Sequence, residues 1–254
     1  MRRGLQAVLT AVAALALTLA AFARPVVAAE TQVAVAANFA VPAKAIAAAF
    51  AADTGHKAVL SFGSSGQLYA QTARGAPYEV FLSADADRPR KAEQEGLGVP
   101  GTRFTYAVGR LVLYSKTPGL VDPQGAVLRK GGLSRVAIAD PIAAPYGVAA
   151  VRTMQKLGVY NALKPKMVMG TSIAQAYQFV STGAAEVGFV ALAQVVDEPG
   201  GSRWIVPAAD HPPIDQQAIL LSAGRKNPAA AAFLKYLRGP RAAAIIQRYG
   251  YEAK

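Results

Sequence analysis

Four short segments combine amide, hydroxyl or phenol side chains with a pattern that begins helices. They are Ala37-Asn38-Phe39, Gly63-Ser64-Ser65-Gly66, Ala144-Pro145-Tyr146-Gly147 and Gly170-Thr171-Ser172-Ile173. Each segment joins a predicted strand to a predicted helix, and a helix N-terminus presents N–H groups that lack an intrahelical partner. With about half a unit of positive charge at each end, four ends together would offset about two negative charges. We therefore expect a site for a small anion bound by neutral donors.

The absence of cations from these segments is informative because the chain is basic. Its 254 residues include 27 Lys and Arg against 15 Asp and Glu, a net charge of +12, yet none of the cations falls within 36–43, 62–73, 143–151 or 167–177. The basic residues are dispersed, without interleaved aromatics, which favours general attraction of anions over a nucleic-acid partner. Simple capping remains the alternative for each segment alone, since Ser, Thr and Asn begin helices in many proteins.

Composition excludes several other kinds of site. The chain has no Cys, which rules out a thiol nucleophile, disulfides and thiolate metal sites, and only two His, His56 and His211. A serine hydrolase would need the pattern G-x-S-x-G, but Gln67 replaces its second glycine after Gly63-Ser64-Ser65-Gly66. A secreted serine hydrolase is therefore a weak alternative, and we predict no catalytic residue, no cofactor and no direct metal-ion ligand.

Strands and helices alternate along the chain, which is typical of an α/β fold with mostly parallel sheets. The predicted strands are 31–36, 57–62, 78–83, 104–115, 136–139, 187–190 and 214–222. The predicted helices are 41–54, one from the 63–66 segment to 74, 147–158, 173–183, 191–196, 228–238 and 240–248. Strands 104–115 and 214–222 are long enough to cross between two lobes. We expect one lobe at 30–108 and 218–254, and the other at 109–217.

Residues 1–29 have the features of a secretory signal peptide. Arg2 and Arg3 precede an uncharged stretch from Ala7 to Ala23, and small residues end at Ala29 before the polar Glu30. A membrane anchor and a twin-arginine signal are the alternatives. Cleavage after Ala29 removes three arginines and no acid, which lowers the net charge from +12 to +9. We expect a soluble periplasmic protein.

Seven segments resemble the periplasmic molybdate-binding proteins of ABC transporters. They are VAVAANF (33–39), SFGSSGQLYAQ (61–71), GAPYEVFLSAD (75–85), FTYAVGRLVLYS (104–115), APYG (144–147), GAAEVGFVAL (183–192) and FLKYLRGPRAAAIIQRYGY (233–251). The resemblance implies a type II periplasmic-binding fold, in which two α/β lobes joined by two crossing strands close on one tetrahedral dianion. It implies molybdate or tungstate as ligand, and an ABC permease with its ATPase at the inner membrane as partner. A monomer that closes at a hinge near Gly109 is expected.

The resemblance also assigns the ligand-binding residues: Ala37, Asn38, Ser64, Ser65, Tyr146 and Ile173. Asn38 occupies the first ligand loop of the family, Ser65 is the second serine of the GSSG loop, and Ile173 corresponds to a backbone donor. Ala37 stands where several relatives have Ser or Thr, so this position can contribute only its backbone. Besides the serine hydrolase, two alternatives remain, namely a binding protein for another oxyanion such as sulfate, phosphate or a carboxylate, and an adhesion protein.

Overall fold

The computed structural model describes residues 28–254, and their strands form two sheets. In chain order the strands are β1 (Glu30–Ala36), β2 (Lys57–Gly63), β3 (Val80–Ser83), β4 (Phe104–Val108), β5 (Leu111–Ser115), β6 (Val136–Ala139), β7 (Met167–Gly170), β8 (Val187–Ala191), β9 (Ser202–Ile205), β10 (Asp215–Leu220) and β11 (Glu252–Ala253). The first sheet has the order β11-β4-β10-β3-β1-β2, and the second has the order β7-β6-β8-β5-β9. Each sheet is the centre of one lobe.

Helices flank both sheets, which confirms the two-lobed α/β fold. They are α1 (Ala40–Thr54), α2 (Ser65–Ala73), α3 (Asp87–Gln94), α4 (Val127–Lys130), α5 (Pro145–Lys156), α6 (Tyr160–Leu163), α7 (Ile173–Ser181), α8 (Leu192–Val195), α9 (Pro228–Leu237) and α10 (Pro240–Arg248). A 3-10 turn, Ala37–Phe39, leads directly into α1. The first strand is apolar without alternation because both of its faces are covered: Val35 packs with Ile46 and Phe233 on one side, and Ala34 packs with Leu68 on the other.

The sheets are mixed rather than mostly parallel. β1 pairs in parallel with β2 and β3, and β6 pairs in parallel with β7 and β8. However, β10 is antiparallel to β3 and β4, and β5 is antiparallel to β8 and β9. The reason is topological, since β5 and β10 enter their sheets from the other lobe, not through a right-handed helical crossover within one sheet.

The chain crosses between the lobes twice. The continuous strand predicted at 104–115 is in fact two strands, β4 in the first sheet and β5 in the second, with Gly109 and Arg110 between them. The return crossing runs over 206–214, and β10 then begins at Asp215. The Gly109 N–H donates to the Ile214 carbonyl at 2.9 Å, so the two crossings are in direct contact. The predicted lobe limits, 30–108 with 218–254 and 109–217, stay predictions.

The predicted signal peptide lies almost entirely outside the described residues, which begin two residues before β1. Within the part of the chain that the structure describes, no helix combines the length and the apolar character that crossing a membrane requires.

Candidate functional site

Four helix starts converge between the two sheets. The 3-10 turn before α1 and the first residues of α2 follow the carboxyl ends of β1 and β2, in the first lobe. The helices α5 and α7 begin after the carboxyl ends of β6 and β7, in the second lobe. Parallel strands present their carboxyl ends at one edge of a sheet, and ligands of open α/β sheets bind at that edge. The four segments selected from the sequence therefore face one another across the interlobe boundary.

A small buried cavity lies where the four helix starts meet. It is lined by Ala36, Ala37, Asn38, Ser64, Ser65, Ala84, Ala144, Pro145, Tyr146 and Ile173. All six residues predicted to bind a ligand are in this set, and no lining side chain is charged. The cavity measures about 10 Å³, far below the roughly 300–1,000 Å³ of pockets that hold organic ligands. The cavity of the described conformation is therefore too small for a sugar or a peptide.

The two serines of the GSSG segment have different roles. Ser64 is the N-cap of α2, because its Oγ accepts from the Gln67 N–H while the Gln67 side chain accepts from the Ser64 N–H, both at 3.3 Å. Ser65 is the first residue of the helix and is 1% exposed. Its Oγ accepts from the Ala84 N–H at 2.9 Å, which leaves the hydroxyl hydrogen for another acceptor. Capping therefore explains Ser64 but not Ser65.

Tyr146 brings an unsatisfied polar atom to the cavity. The side chain is 1% exposed, and its hydroxyl has no hydrogen-bond partner among the described residues. Burial, with a contribution from the neighbouring Tyr251 phenol, raises the pKa of Tyr146 well above its ordinary value of 10.0. The phenol is therefore a neutral donor at physiological pH. An unpaired buried polar group costs about 1–3 kcal/mol, so an acceptor that enters the cavity would stabilise this hydroxyl.

Asn38 lines the cavity, but both hydrogens of its side-chain amide are donated to groups of the protein. Nδ2 donates to Oε1 of Gln216 at 2.8 Å and to the hydroxyl of Tyr251 at 3.0 Å. The residue lies in the 3-10 turn at the start of α1, where backbone N–H groups lack an intrahelical acceptor. Asn38 can therefore offer an anion its backbone N–H.

The last of the four helix starts uses backbone donors. Ile173 is the first residue of α7 and is 3% exposed, and Ser172 caps the helix by accepting from the Gln175 N–H at 3.4 Å. The apolar Ile173 side chain cannot bind an anion, so its contribution is the N–H at the helix start. Ala37 and Ala144 are likewise limited to backbone groups.

Two hydrogen bonds join the lobes beside the cavity. The Gly66 N–H of α2 donates to the Ala143 carbonyl at 2.9 Å, and Nη2 of Arg88 in α3 donates to the Ile142 carbonyl at 2.9 Å. A Cβ at Gly66 would lie 3.0 Å from the Ala143 oxygen, so glycine permits this close approach. The described conformation is consequently closed around the cavity.

Sequence reasoning missed three residues that shape the site. Ala84 binds the Ser65 hydroxyl, and Gln216 and Tyr251 bind Asn38 from behind the cavity. No local motif marks these positions, because their partners are 19 to 213 residues away in the chain.

The histidines offer no catalytic partner for the serines. His56 accepts from the Ala29 N–H at 3.2 Å, and the ring of the half-buried His211 lies 2.7 Å from the Pro212 carbonyl. Over residues 28–254, no group of three or more His, Cys, Asp or Glu is arranged to hold a metal ion. The geometry of the site therefore favours binding over bond cleavage.

Comparisons with known proteins agree with this interpretation. The family model for bacterial extracellular solute-binding proteins matches residues 31–252. The chain is 57% identical over 229 residues to the molybdate-binding protein ModA of Rhodobacter capsulatus, covering 90% of each chain. It is 56% identical to ModA of Azotobacter vinelandii, covering 88% of this chain and 90% of the relative. The solved Azotobacter vinelandii periplasmic molybdate-binding protein superposes with a TM-score of 0.85 at 43% identity, covering 88% of this chain and 99% of that one.

Proposed function

Because the chain belongs to the bacterial extracellular solute-binding proteins, and among them to the molybdate-binding proteins, we propose that it binds molybdate for an ABC importer. Membership of this transport family also means that the chain is a binding protein and not an enzyme. The alternative of a secreted serine hydrolase is therefore wrong.

The convergence of four helix starts on one uncharged cavity carries this proposal. With roughly half a unit charge at each helix N-terminus, two helices from each lobe offset about two negative charges, the charge of a tetrahedral dianion. The donors are held by the ends of strands and helices, so they need little reorganisation when the ion enters. A fixed set of neutral donors therefore binds a dianion of one size without a salt bridge.

We assign each predicted residue a role toward the oxyanion. Ser65 gives its hydroxyl and its N–H, and Tyr146 gives its phenol. Ala37, Asn38 and Ile173 give backbone N–H groups. Ser64 orients the start of α2 by capping it, and its own hydroxyl hydrogen remains free to point at the ion. The loss of a hydroxyl at Ala37 lowers the number of side-chain donors by one relative to family members with Ser or Thr there.

The chemistry of the lining distinguishes the candidate oxyanions. Phosphate carries a proton at neutral pH and needs an acceptor for it, yet no carboxylate lines the cavity. Sulfate is fully ionised, as molybdate is, but smaller, so it would leave some of the fixed donors at longer distances. Molybdate and tungstate have nearly the same size and shape, and we propose that both bind.

The proposed setting is the periplasm, reached by a cleavable signal at residues 1–29. The partner there is the permease and ATPase complex at the inner membrane, and the protein acts as a monomer. Closure around the cavity would give the permease a surface that differs between the empty and loaded forms.

Isothermal titration calorimetry of the protein freed of ligand tests the proposal. We expect tight one-to-one binding of molybdate and tungstate, with sulfate at least about 100-fold weaker and phosphate without measurable heat. Binding of sulfate or phosphate more tightly than molybdate would assign the site to another oxyanion. Absence of heat with all four ions would remove the oxyanion function and favour an adhesion role.

A further inference from the structure

A buried polar cluster lies directly behind the cavity, where the chain crosses between the lobes. The Tyr251 hydroxyl accepts from Nδ2 of Asn38 at 3.0 Å and donates to the Asn38 carbonyl at 2.8 Å. The second hydrogen of the Asn38 amide goes to Oε1 of Gln216 at 2.8 Å. Tyr251 is 5% exposed and Gln216 fully buried. Asn38 is thus held at both its side chain and its backbone by two residues distant in sequence.

The C-terminal segment fixes Tyr251 in this position. After α10 ends at Arg248, the chain turns, and β11 pairs with β4 through Glu252 and Ala253. The Tyr251 ring stands edge-on to the ring of Phe39, with centroids 5.3 Å apart and planes at 76°. The phenol is therefore anchored by the sheet on one side and by aromatic packing on the other.

Gln216 and Tyr251 of this cluster lie next to the hydroxyl of Tyr146, which belongs to the other lobe. A Cβ placed on Gly109 would lie 2.2 Å from the Tyr146 hydroxyl and 2.9 Å from Nε2 of Gln216. The phenols of Tyr146 and Tyr251 are close enough that each affects the pKa of the other. Gly109 lies in the first crossing, and its lack of a side chain leaves room for the Tyr146 hydroxyl and the Gln216 amide to approach each other.

We propose that Tyr251 and Gln216 are positioning residues of the oxyanion site. They hold the 3-10 turn so that the Asn38 N–H points into the cavity. They also lie next to the Tyr146 side chain and so fix the position of its phenol when the lobes are closed. The C-terminal segment thereby supports the ligand site from behind without lining the cavity. This inference rests on the proposed binding of molybdate.

Tyr251→Phe is the most direct test, because it removes one hydroxyl and leaves the aromatic packing. The Asn38 carbonyl and amide each lose a partner, and only Gln216 still holds the Asn38 side chain. We expect molybdate affinity to fall about 10-fold, mainly through faster dissociation in a stopped-flow displacement assay. Tyr236→Phe is the matched control, since its hydroxyl donates to Asp53 at 2.6 Å on a distant surface. We expect that variant to keep wild-type affinity.

Two further measurements separate positioning from general stability. In the double variant Tyr146→Phe with Tyr251→Phe, the fold loss of molybdate affinity should be smaller than the product of the losses in the two single variants. The reason is that both phenols act on the same part of the site. Gln216→Met removes the other partner of the Asn38 amide, and we expect an affinity loss of about 5-fold. If Tyr251→Phe does not fold, the Gln216→Met titration decides the question alone.

The outcomes are distinguishable from failure of the proposed function. Wild-type protein that does not bind molybdate would overturn the function itself. If wild-type protein binds molybdate, unchanged affinity and dissociation rate in Tyr251→Phe would overturn the positioning role, even with a lower melting temperature. Unchanged affinity in Gln216→Met would overturn the role of Gln216.

Discussion

Replacing Ser65 with alanine separates binding from capping at the centre of the site. The change removes a hydroxyl that is 1% exposed and keeps the backbone N–H at the start of α2. A hydrogen bond to a charged partner contributes about 1.5–3 kcal/mol, which corresponds to roughly 10- to 100-fold in affinity. We expect the Kd for molybdate to rise by that factor in isothermal titration calorimetry at 25 °C.

The same substitution has a second and separate effect on stability. The Ala84 N–H loses its acceptor, the Ser65 Oγ at 2.9 Å. An unsatisfied buried donor costs about 1–3 kcal/mol, so the free energy of unfolding of the ligand-free protein should fall by that amount in urea denaturation. The unsatisfied Ala84 N–H is present in both the free and the bound folded protein, so it does not contribute to the rise in Kd.

Ser64→Ala is the matched control, one residue away. Loss of an N-cap costs about 0.5–2 kcal/mol of stability, and we expect a smaller loss of affinity than in Ser65→Ala. Wild-type affinity in Ser65→Ala, or a larger affinity loss in Ser64→Ala, would refute the assignment of the hydroxyl to the oxyanion.

Four other predictions follow from the geometry of the closed form. Arg88→Gln removes the interlobe bond to the Ile142 carbonyl, so stopped-flow displacement should show dissociation a few-fold faster with little change in association. Lys91→Gln and Lys226→Gln alter charges outside the cavity lining and should change the salt dependence of association. A tenfold affinity loss in either lysine variant would mean that the site lies elsewhere. Because burial raises the pKa of Tyr146, binding should stay constant from pH 7 to 9.5. The contribution of the protonated phenol to the free energy of unfolding is fully present below the unfolded-state pKa of about 10. It should be lost as the pH rises further, because the phenol then ionises first in the unfolded chain. Unfolding measured from pH 9 to 11 would show this loss. Molybdate at 100 times its Kd should add about 2.7 kcal/mol of stability and reduce the radius of gyration in small-angle scattering, and an unchanged melting temperature would contradict the ligand assignment.

The helix starts were predictable from sequence because their signals are local. A capping Ser or Pro in the first turn lies within a few residues of the helix it begins, as at Pro145. The strands β1, β2 and β6 were predictable for the same reason, since each is a short apolar run. The strands β7, β9 and β11 were not predicted. β9 and β11 have four residues or fewer of mixed polarity, which gives no distinct pattern, and β7 is a short apolar run that is only partly buried.

Contacts between distant parts of the chain could not be predicted. The adjacent serines of the GSSG segment look equivalent in sequence, but in the structure one caps α2 through Gln67 and the other accepts from the Ala84 N–H. The positions of Gln216 and Tyr251 depend on the return crossing and on the pairing of the last strand with β4. Such tertiary placement is independent of local propensity.

In the proposed site, the distribution of the donors between the lobes would explain how one site can bind tightly and still release its ion. The starts of α1 and α2 belong to the first lobe, and the starts of α5 and α7 belong to the second. When the lobes separate, an ion left on one of them faces about one unit of compensating charge rather than two, by the half charge of each helix end. Water then replaces the lost donors, and the affinity falls steeply. A lysine or arginine beside the ion would keep much of its attraction in the open form and would accept any anion. Fixed dipoles divided between two lobes therefore make affinity depend on closure, which a permease can control by opening the protein.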